Sequence, residues 1–424
     1  MPSTGTSENN RNHRKGNRAG WLVVLAAFLG VMVSFGSLLV FTFSVFLKPL
    51  SNEFGWSREA ISSAFGIAAL TIAVCSPGLG HLLDRFGPRR VIVPCMAVYA
   101  TAFTSLAFLT PHLAHLYFVF LVIGIVGNGT TQMGYARAVS SWFDDRRGMA
   151  LALVMAGTGV GSIVLPPFAQ HLISLYGWRT AYVVLGLLVF LFGLPLTALF
   201  VREKPGHRME SSNPKDAAGG VKRGLQSRAF WILVSSLFLS SISINGTLTH
   251  LSALLTDRHI PVQDAALSLS LLGAFSLCGR LITGYLLDKF FGPHVAFCLL
   301  AGSAAGILVV ASASTAHAAY LASALIGIGL GAEADITPYL LTRYFGLSSF
   351  STIYGFTWTA YAIAGAIGPV LMGRAFDLTG SYRSLVTVLA GATSVAAFLM
   401  LFMPRYGRLA SVANGLETTV SGKL

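Results

Sequence analysis

The sequence predicts an all-α membrane protein in which twelve transmembrane helices form two pseudo-symmetric bundles of six. Its composition, its long apolar stretches and an internal repeat support this prediction. Of the 424 residues, 54% are hydrophobic and 11% are charged, whereas ordinary soluble domains carry about 25% charged residues. An ordinary soluble fold is therefore excluded, and most of the outer surface is expected to face lipid.

Twelve apolar stretches account for the helices in chain order. A helix that crosses the hydrocarbon core needs about 20 residues, and neighbouring helices accommodate its internal Gly and Pro. The predicted spans are Trp21–Leu47, Ala60–Leu83, Val91–Thr110, Leu113–Ser140, Gly148–Ser174, Trp178–Val201, Ala229–Leu255, Ala265–Leu287, His294–Ala313, Ala316–Leu341, Phe350–Met372 and Ser384–Met403.

Lysine and arginine indicate how these spans are oriented, because cytoplasmic segments retain them. With the N-terminus inside, 21 of the 29 fall in inner segments and only six in outer loops. We therefore expect an integral protein of the cell (inner or plasma) membrane with both termini cytoplasmic. The formal charge of +13 then reflects topology rather than a nucleic-acid surface. No removable signal peptide is expected, because no cleavage site precedes a soluble domain.

The spans divide into two related halves. We predict a cytoplasmic tail (1–20), a first bundle (21–201), a cytoplasmic linker (202–228), a second bundle (229–403) and a second tail (404–424). The run Gly80–Arg85 recurs as Gly284–Lys289 at a shift of 204. Paired halves of this kind build transporters around a central site near the membrane midplane.

A loop motif lies between the second and third spans. It consists of Gly80, Asp84, Arg85, Gly87, Arg89 and Arg90, and this pattern resembles the complete loop signature of the major facilitator superfamily. Gly80 permits close helix packing, Gly87 and Pro88 form a tight turn, and the Asp84 carboxylate can hold a basic group or a helix end. We interpret the motif as a conformational latch. An ordinary basic loop would explain its charges but not its spacing.

Two further runs narrow the resemblance. Trp142–Ala150, leading into Ala156–Gly161, resembles the start of the fifth helix in monocarboxylate transporters and in their bacterial oxalate/formate antiporter branch. Gly331–Tyr339, followed by Arg343–Gly346, resembles the bacterial members. The resemblance implies a secondary transporter of a small organic monocarboxylate, lactate-like or pyruvate-like, that works by alternating access and proton symport.

Two positions depart from the animal members of that family. The animal members carry an acidic residue four positions before the arginine of the eighth span, where this chain has Ser276. They also carry a lysine in the first span, and the run Phe35–Val40 contains none. Any proton coupling must therefore use other groups.

Arg280 is the leading candidate for the substrate carboxylate. Ionisable residues inside spans mark substrate or ion paths by default. Arg280 precedes Asp288 by eight residues, so it lies roughly 12 Å inside the membrane. A guanidinium binds a carboxylate through two hydrogen bonds and stays charged, and the resemblance places the substrate-binding arginine here. A permanent ion pair with an acid of the tenth span is the structural alternative.

Glu333 and Asp335 are the candidates for proton coupling. They lie roughly 12–15 Å inside the same end of the membrane, about 200° apart around a helix. We therefore expect only one of them to line the cavity and accept a proton, while the other braces neighbouring helices. Packing or gating roles for both acids remain the alternative.

Neutral polar residues complete the predicted substrate site. They are His250, Asn128, Asn245 and Tyr361. Each side chain can donate a hydrogen bond to a carboxylate, and interhelical hydrogen bonding explains each of them equally well.

No pattern predicts an enzyme, a cofactor or a metal site. The four cysteines form no C-x-x-C pair, and no Walker-type loop, metal-ligand spacing or Ser/His/Asp set is present. The expected partners are a small carboxylate, a proton and the lipid bilayer, without nucleic acid, for a protein that works as a monomer. An oxalate/formate-type carboxylate exchanger is the main alternative. A proton-driven drug exporter suits the buried arginine less well, and a receptor would need a signalling domain.

Overall fold

The computed structural model describes residues 20–143, 147–202, 224–345 and 350–406. The two predicted tails and the linker lie largely outside these ranges. The first half contains α1 (Gly20–Phe54), α2 (Arg58–Phe86), α3 (Pro88–Ser105), α4 (Leu113–Thr130), α5 (147–176) and α6 (178–200). The second half contains α7 (Arg228–Thr256), α8 (Val262–Lys289), α9 (Gly292–Ser312), α10 (Ala316–Phe345), α11 (Phe350–Thr379) and α12 (Arg383–Leu401).

The predicted twelve helices are confirmed once one long run is divided. Within the described ranges, eleven helical runs are long and apolar enough to span a membrane, and one of them extends over Met149–Phe200. That run is interrupted at Gly177, whose φ of 81° and ψ of 164° are not helical. Glycine favours this backbone conformation because it lacks a Cβ. Gly177 therefore separates α5 from α6.

The helices form two bundles of six that meet mainly along two helix pairs, with a further contact between α1 and α7, where the Ser252 N–H donates to Ser44 Oγ at 2.8 Å. Helix α2 packs on α11, and α5 packs on α8. Within the bundles the equivalent pairs α2 with α4 and α8 with α10 are closely packed. Gly124 of α4 faces the carbonyl of Ala68, and Gly327 of α10 faces the carbonyl of Leu272. Because Ala68 and Leu272 are also 204 residues apart, the sequence repeat reappears as repeated small-residue packing.

Helix α1 is interrupted near its middle. Ser34 is extended (φ −75°, ψ 173°), and the following residues, Phe35–Leu39, form a wider π-helical turn. The backbone N–H of Phe35 donates to Thr130 Oγ1 of α4 at 3.1 Å. This hydrogen bond satisfies an N–H group that has no helical carbonyl partner at the interruption. Interrupted helices in membranes occur where they are buried in protein or line a cavity. Here the interruption faces the space between the bundles.

Candidate functional site

A cavity of about 500 Å³ lies between the two bundles. Side chains from α1, α2, α4 and α5 border it on one side, and side chains from α7, α8, α10 and α11 border it on the other. Six of the predicted site residues border this cavity: Asn128, Asn245, Arg280, Glu333, Asp335 and Tyr361. Residues that are up to 233 positions apart in the chain thus meet in one place.

Arg280 and Asp335 face each other across the cavity wall. Their Nη1 and Oδ1 atoms are 4.0 Å apart, and the side chains are 26% and 38% exposed. Charge-assisted hydrogen bonds are about 2.7–2.9 Å long. The pair therefore interacts through its charges without a close hydrogen bond, and both groups remain accessible from the cavity.

Glu333 is oriented differently from Asp335. Only 7% of the residue is exposed, and Ser240 Oγ of α7 lies 2.7 Å from its Oε1. Both acids border the cavity, so the expectation that only one would do so is wrong. The reason is that the cavity borders a wide arc of α10, which includes Leu330, Ala334, Thr337 and Pro338 as well as both acids.

Aromatic and amide side chains form the α7 and α11 side of the cavity. Tyr354, Trp358 and Tyr361 follow one face of α11, and the rings of Trp358 and Tyr361 stack at 5.2 Å. Asn245 Nδ2 lies 3.5 Å from the hydroxyl of Tyr361 and donates to the Ser241 carbonyl at 3.0 Å. This wall combines apolar ring surface with a few polar atoms.

The amide of Asn128 contacts Ser76, the residue of the first bundle that corresponds to Arg280 in the internal repeat. Asn128 Nδ2 donates to Ser76 Oγ of α2. Ser76 precedes Arg280 by 204 residues, the shift of the internal repeat. The two halves are therefore chemically unequal here, because a neutral hydroxyl stands where the second half carries a guanidinium.

His250 lies outside the cavity. It is fully buried between the bundles, where its ring nitrogens contact Ser62 Oγ at 2.8 Å, the Pro369 carbonyl at 3.0 Å and the Tyr382 hydroxyl at 3.0 Å. These partners come from both bundles. The structure thus brings His250 to a closed interface and not to the other predicted substrate-binding residues.

That interface is centred on Arg58, and we call it the Arg58 end of the molecule. Arg58 donates to both carboxylate oxygens of Asp257, at 2.5 and 3.1 Å, and to the Tyr382 hydroxyl at 2.6 Å. Its guanidinium lies 3.6 Å from the centroid of the Phe376 ring. Lys48 Nζ lies 2.7 Å from Asp257. These contacts join the two halves and close this end.

Asp377 adds a helix cap to the closure. Its carboxylate accepts from the backbone N–H groups of Arg58 (3.0 Å) and Glu59 (2.7 Å) at the start of α2. A carboxylate at a helix N-terminus is stabilised by unpaired N–H groups and by the helix dipole. Asp377 belongs to α11, so this cap also bridges the two bundles.

Asp257 follows the last residue of α7 and is held ionised. Burial disfavours its charge, but the hydrogen bonds from Arg58 and Lys48 outweigh burial and lower the pKa of Asp257. Sequence analysis missed this cluster because Arg58 resembles an ordinary loop charge. The sequence did contain one indication of the cluster, because Arg58 and Asp257 are oppositely charged and lie near the ends of spans in different halves.

The predicted latch motif lies at the opposite end of α2, which we call the Arg85 end. Gly87 has a φ of 80° and separates α2 from α3, which begins at Pro88. The side chains of Arg85, Arg89 and Arg90 are exposed, and Gly80 is half-buried. The side chain of Asp84 lies outside the described part of the chain.

Comparison with known families identifies the fold. The family model of the Major Facilitator Superfamily matches residues 23–369. The chain belongs to this superfamily. A bacterial homologue of the human lysosomal transporter Spinster, solved in an inward-facing and unoccupied conformation, superposes with a TM-score of 0.65 at 15% identity, over 92% of this chain and 94% of that one.

Two of the relatives that this superfamily member resembles are named as carboxylate transporters. It is 27% identical over 405 residues to the oxalate:formate antiporter of Oxalobacter formigenes, covering 93% of each chain. It is also 27% identical over 402 residues to monocarboxylate transporter 11 of Mus musculus, covering 91% of this chain and 88% of the relative. Membership in the superfamily and the apolar helices support an integral membrane transporter of a small molecule rather than an enzyme.

Proposed function

We propose that this transporter carries a small organic monocarboxylate, lactate-like or pyruvate-like, together with a proton. One observation carries the proposal: Arg280 is the single cationic side chain among the described residues that border the cavity. A planar guanidinium binds a carboxylate with two parallel hydrogen bonds. The substrate carboxylate thus binds Arg280 from the cavity side.

Asp335 is the internal partner of Arg280 in the unloaded site. At 4.0 Å it reduces the cost of a charge inside the membrane, and it leaves donors of the guanidinium for the substrate. A substrate carboxylate completes the hydrogen bonding that Asp335 leaves open. Asp335 therefore competes with the substrate for Arg280 but does not prevent the substrate from binding.

The charge of the cavity favours one carboxylate over two. With Asp335 ionised, Arg280 is already balanced, so a monoanion adds one net negative charge and a dianion such as oxalate adds two. Like charges at short range in a site of low dielectric constant repel strongly. The stacked rings of Trp358 and Tyr361 receive the apolar part of the substrate, and Asn128 and Asn245 supply hydrogen bonds.

Alternating access follows from the two ends of the cavity. The distribution of basic residues orients the Arg58 end outward and the Arg85 end toward the cytoplasm. The closed Arg58 end then corresponds to an inward-facing state in the cell membrane, with both termini cytoplasmic. We assign His250 to the closure of the Arg58 end, and Gly80, Asp84, Arg85, Gly87, Arg89 and Arg90 to the opposite latch. The protein works as a monomer, because the cavity is formed within one chain.

Transport into proteoliposomes tests this function. Labelled lactate, pyruvate, formate and oxalate are offered with and without an inside-alkaline pH gradient, and with unlabelled anion inside. We expect the gradient to drive accumulation of pyruvate or lactate by the wild type, and Arg280→Gln to abolish it. Uptake that requires an internal anion and ignores the gradient would instead show an exchanger, the activity named for the Oxalobacter formigenes relative. No uptake of any of the four anions would refute carboxylate transport.

A further inference from the structure

The surroundings of Glu333 distinguish it from Asp335 in a way that bears on the coupling of the proton. Its carboxyl group is buried between α7 and α10, and Oε2 has no hydrogen-bond partner. Among the residues that the structure describes, no Lys, Arg or His nitrogen lies within 4.0 Å of this carboxyl group. An ionised and unpaired carboxylate in such a place is very costly, whereas a neutral carboxylic acid is tolerated.

The hydrogen bonds of Ser240 agree with a neutral Glu333. Ser240 Oγ lies 2.7 Å from Glu333 Oε1 and 3.1 Å from the Leu237 carbonyl oxygen. A hydroxyl group has one hydrogen, so it can make a full, near-linear hydrogen bond to only one of these two oxygens. If Oε1 carries a proton, it donates to Ser240 Oγ, and the hydroxyl donates to Leu237. Both short contacts are then hydrogen bonds.

A small, largely apolar pocket lies beside the carboxyl group. A pocket of about 20 Å³ lies between α7, α9, α10 and α12, and Glu333, Ser236 and Thr337 border it. This volume is sufficient for one water molecule. Glu333 also borders the central cavity, so the residue separates the pocket from the substrate path.

From these contacts we propose that Glu333 is a protonated, neutral acid in this conformation and carries the transported proton, whereas Asp335 stays ionised as the partner of Arg280. This assignment deepens the proposed function and rests on it for the coupling step. The proton leaves Oε1 for water in the cavity, and a proton from the opposite side of the membrane later replaces it. No other bond is made or broken.

Charge explains why the proton and the substrate move together. The titratable groups that border the cavity with Glu333 are Tyr354 and Tyr361 of α11, Arg280 of α8 and, two residues further along α10, Asp335. The parts of α9 and α12 that border the small pocket contribute only apolar side chains. A substrate anion bound to Arg280, beside ionised Asp335, already leaves one net negative charge. An ionised Glu333 would add a second one, so a bound substrate and a protonated Glu333 favour each other.

Infrared spectroscopy of the purified protein tests the protonation without a substrate. We expect a carboxylic-acid C=O band in the wild type that is absent from Glu333→Gln and shifted in Ser240→Ala, because Ser240 bonds to the acid. Ser243→Ala, at a buried serine of the same helix, should leave the band unchanged. Identical spectra for the wild type and Ser240→Ala, or a band that persists in Glu333→Gln, would overturn the assignment. The Ser240 variant keeps the test valid if Glu333→Gln does not fold.

The pH dependence of pyruvate binding tests the coupling. The affinity of the wild type should fall as the pH rises and Glu333 ionises, the affinity of Glu333→Gln should be independent of pH, and Asp335→Asn should keep the dependence. In proteoliposomes Glu333→Gln should still exchange pyruvate for pyruvate but lose accumulation driven by the pH gradient. A pH-independent Asp335→Asn, or a pH-dependent Glu333→Gln, would refute the assignment. If the wild type binds no pyruvate, the proposed function fails, while the infrared result still decides the state of Glu333.

Discussion

Arg280 and Asp335 face each other because α8 and α10 run side by side in a fixed register. One turn earlier, Gly331 of α10 lies directly against the carbonyl oxygen of Ser276 of α8, where no Cβ would fit. Arg280 and Asp335 each follow that contact by four residues, and residues four apart lie on the same helix face. The close glycine contact therefore determines that the guanidinium and the carboxylate meet at the cavity.

This relationship separates two roles for Arg280. If Arg280 binds the substrate, Arg280→Gln should reduce pyruvate affinity by roughly two or more orders of magnitude, because charge-assisted hydrogen bonds contribute about 1.5–3 kcal/mol each. Arg280→Lys should also weaken binding strongly, because an ammonium lacks the planar fork. Asp335→Asn alone should strengthen binding by removing the competitor. Equilibrium binding to the purified protein measures these changes.

The double variant Arg280→Gln/Asp335→Asn provides the control for a purely structural pair. Removing both charges leaves no unpaired ion, so the fold should be at least as stable as in Arg280→Gln. We nevertheless expect no recovery of pyruvate binding, since the group that binds the carboxylate is gone. Recovery of binding in a stably folded double variant would show that Arg280 serves only to neutralise Asp335.

The glycine contact can be tested separately from the charges. Gly331→Ala would place a methyl group against the Ser276 carbonyl and push α8 away from α10, which should destabilise the protein by about 1–3 kcal/mol. Thermal unfolding in detergent measures this change, and pyruvate affinity should fall because Arg280 moves with α8. Gly302→Ala in α9 is the matched control, because no atom lies within 4 Å of a Cβ there. Equal stability of the two variants would contradict the role of Gly331.

Closure at the Arg58 end should depend on the pair formed by Arg58 and Asp257. Arg58→Gln leaves Asp257 without its two hydrogen bonds, so the population should shift toward a state that is open at this end. Spin labels at the exposed positions Asn52 and His259 report the shift as a longer distance, in a background without native cysteines. Arg179→Gln is the control, because Arg179 pairs with Glu53 inside one bundle at 2.6 Å. An unchanged distance in Arg58→Gln would show that this pair does not hold the end closed.

The lowered pKa of Asp257 determines the pH range of this closure. A carboxyl group whose pKa is lower in the closed state stabilises that state above its ordinary pKa of 3.8, and the contribution disappears as the pH falls through the lowered value. In the wild type, the distance between the labels should therefore be insensitive to the ionisation of Asp257 from neutral pH down to mildly acidic pH. Opening that begins well above pH 3.8 and persists in Asp257→Asn would identify another titrating group.

Asp84 should affect the rate of the transport cycle more than the affinity. Asp84→Asn removes the charge of the proposed latch at nearly constant volume, so the protein should fold and insert normally while maximal transport slows. The substrate affinity should change little, because the latch motif lies at the Arg85 end and none of its described side chains borders the cavity. Proteoliposome transport rates and equilibrium binding measure the two quantities. A normal maximal rate in correctly inserted Asp84→Asn would show that the motif is not a latch and only helps to set the membrane orientation.

Sequence information was sufficient to predict the helices and to assign an expected depth to the charged residues. Apolar length and composition are local properties, so they predicted the twelve spans, and the rise per residue placed Arg280, Glu333 and Asp335 inside the membrane. The repeat at a shift of 204 predicted two related halves. The superfamily model and the structural match confirm the apolar helices and the two-bundle fold.

Tertiary structure decided which side chains meet. Arg58 and Asp257 are 199 residues apart in the chain, and only the packing of the two bundles brings them together with Asp377 and His250. Whether Glu333 contacts Arg280 or Ser240 depends on the rotation of α10 against its neighbours, which close glycine contacts determine. The sequence by itself therefore determined which segments form apolar helices, and it predicted the depth of the charged residues within them. Their partners followed only from the packing, because an apolar helix carries little information about the direction in which each face points.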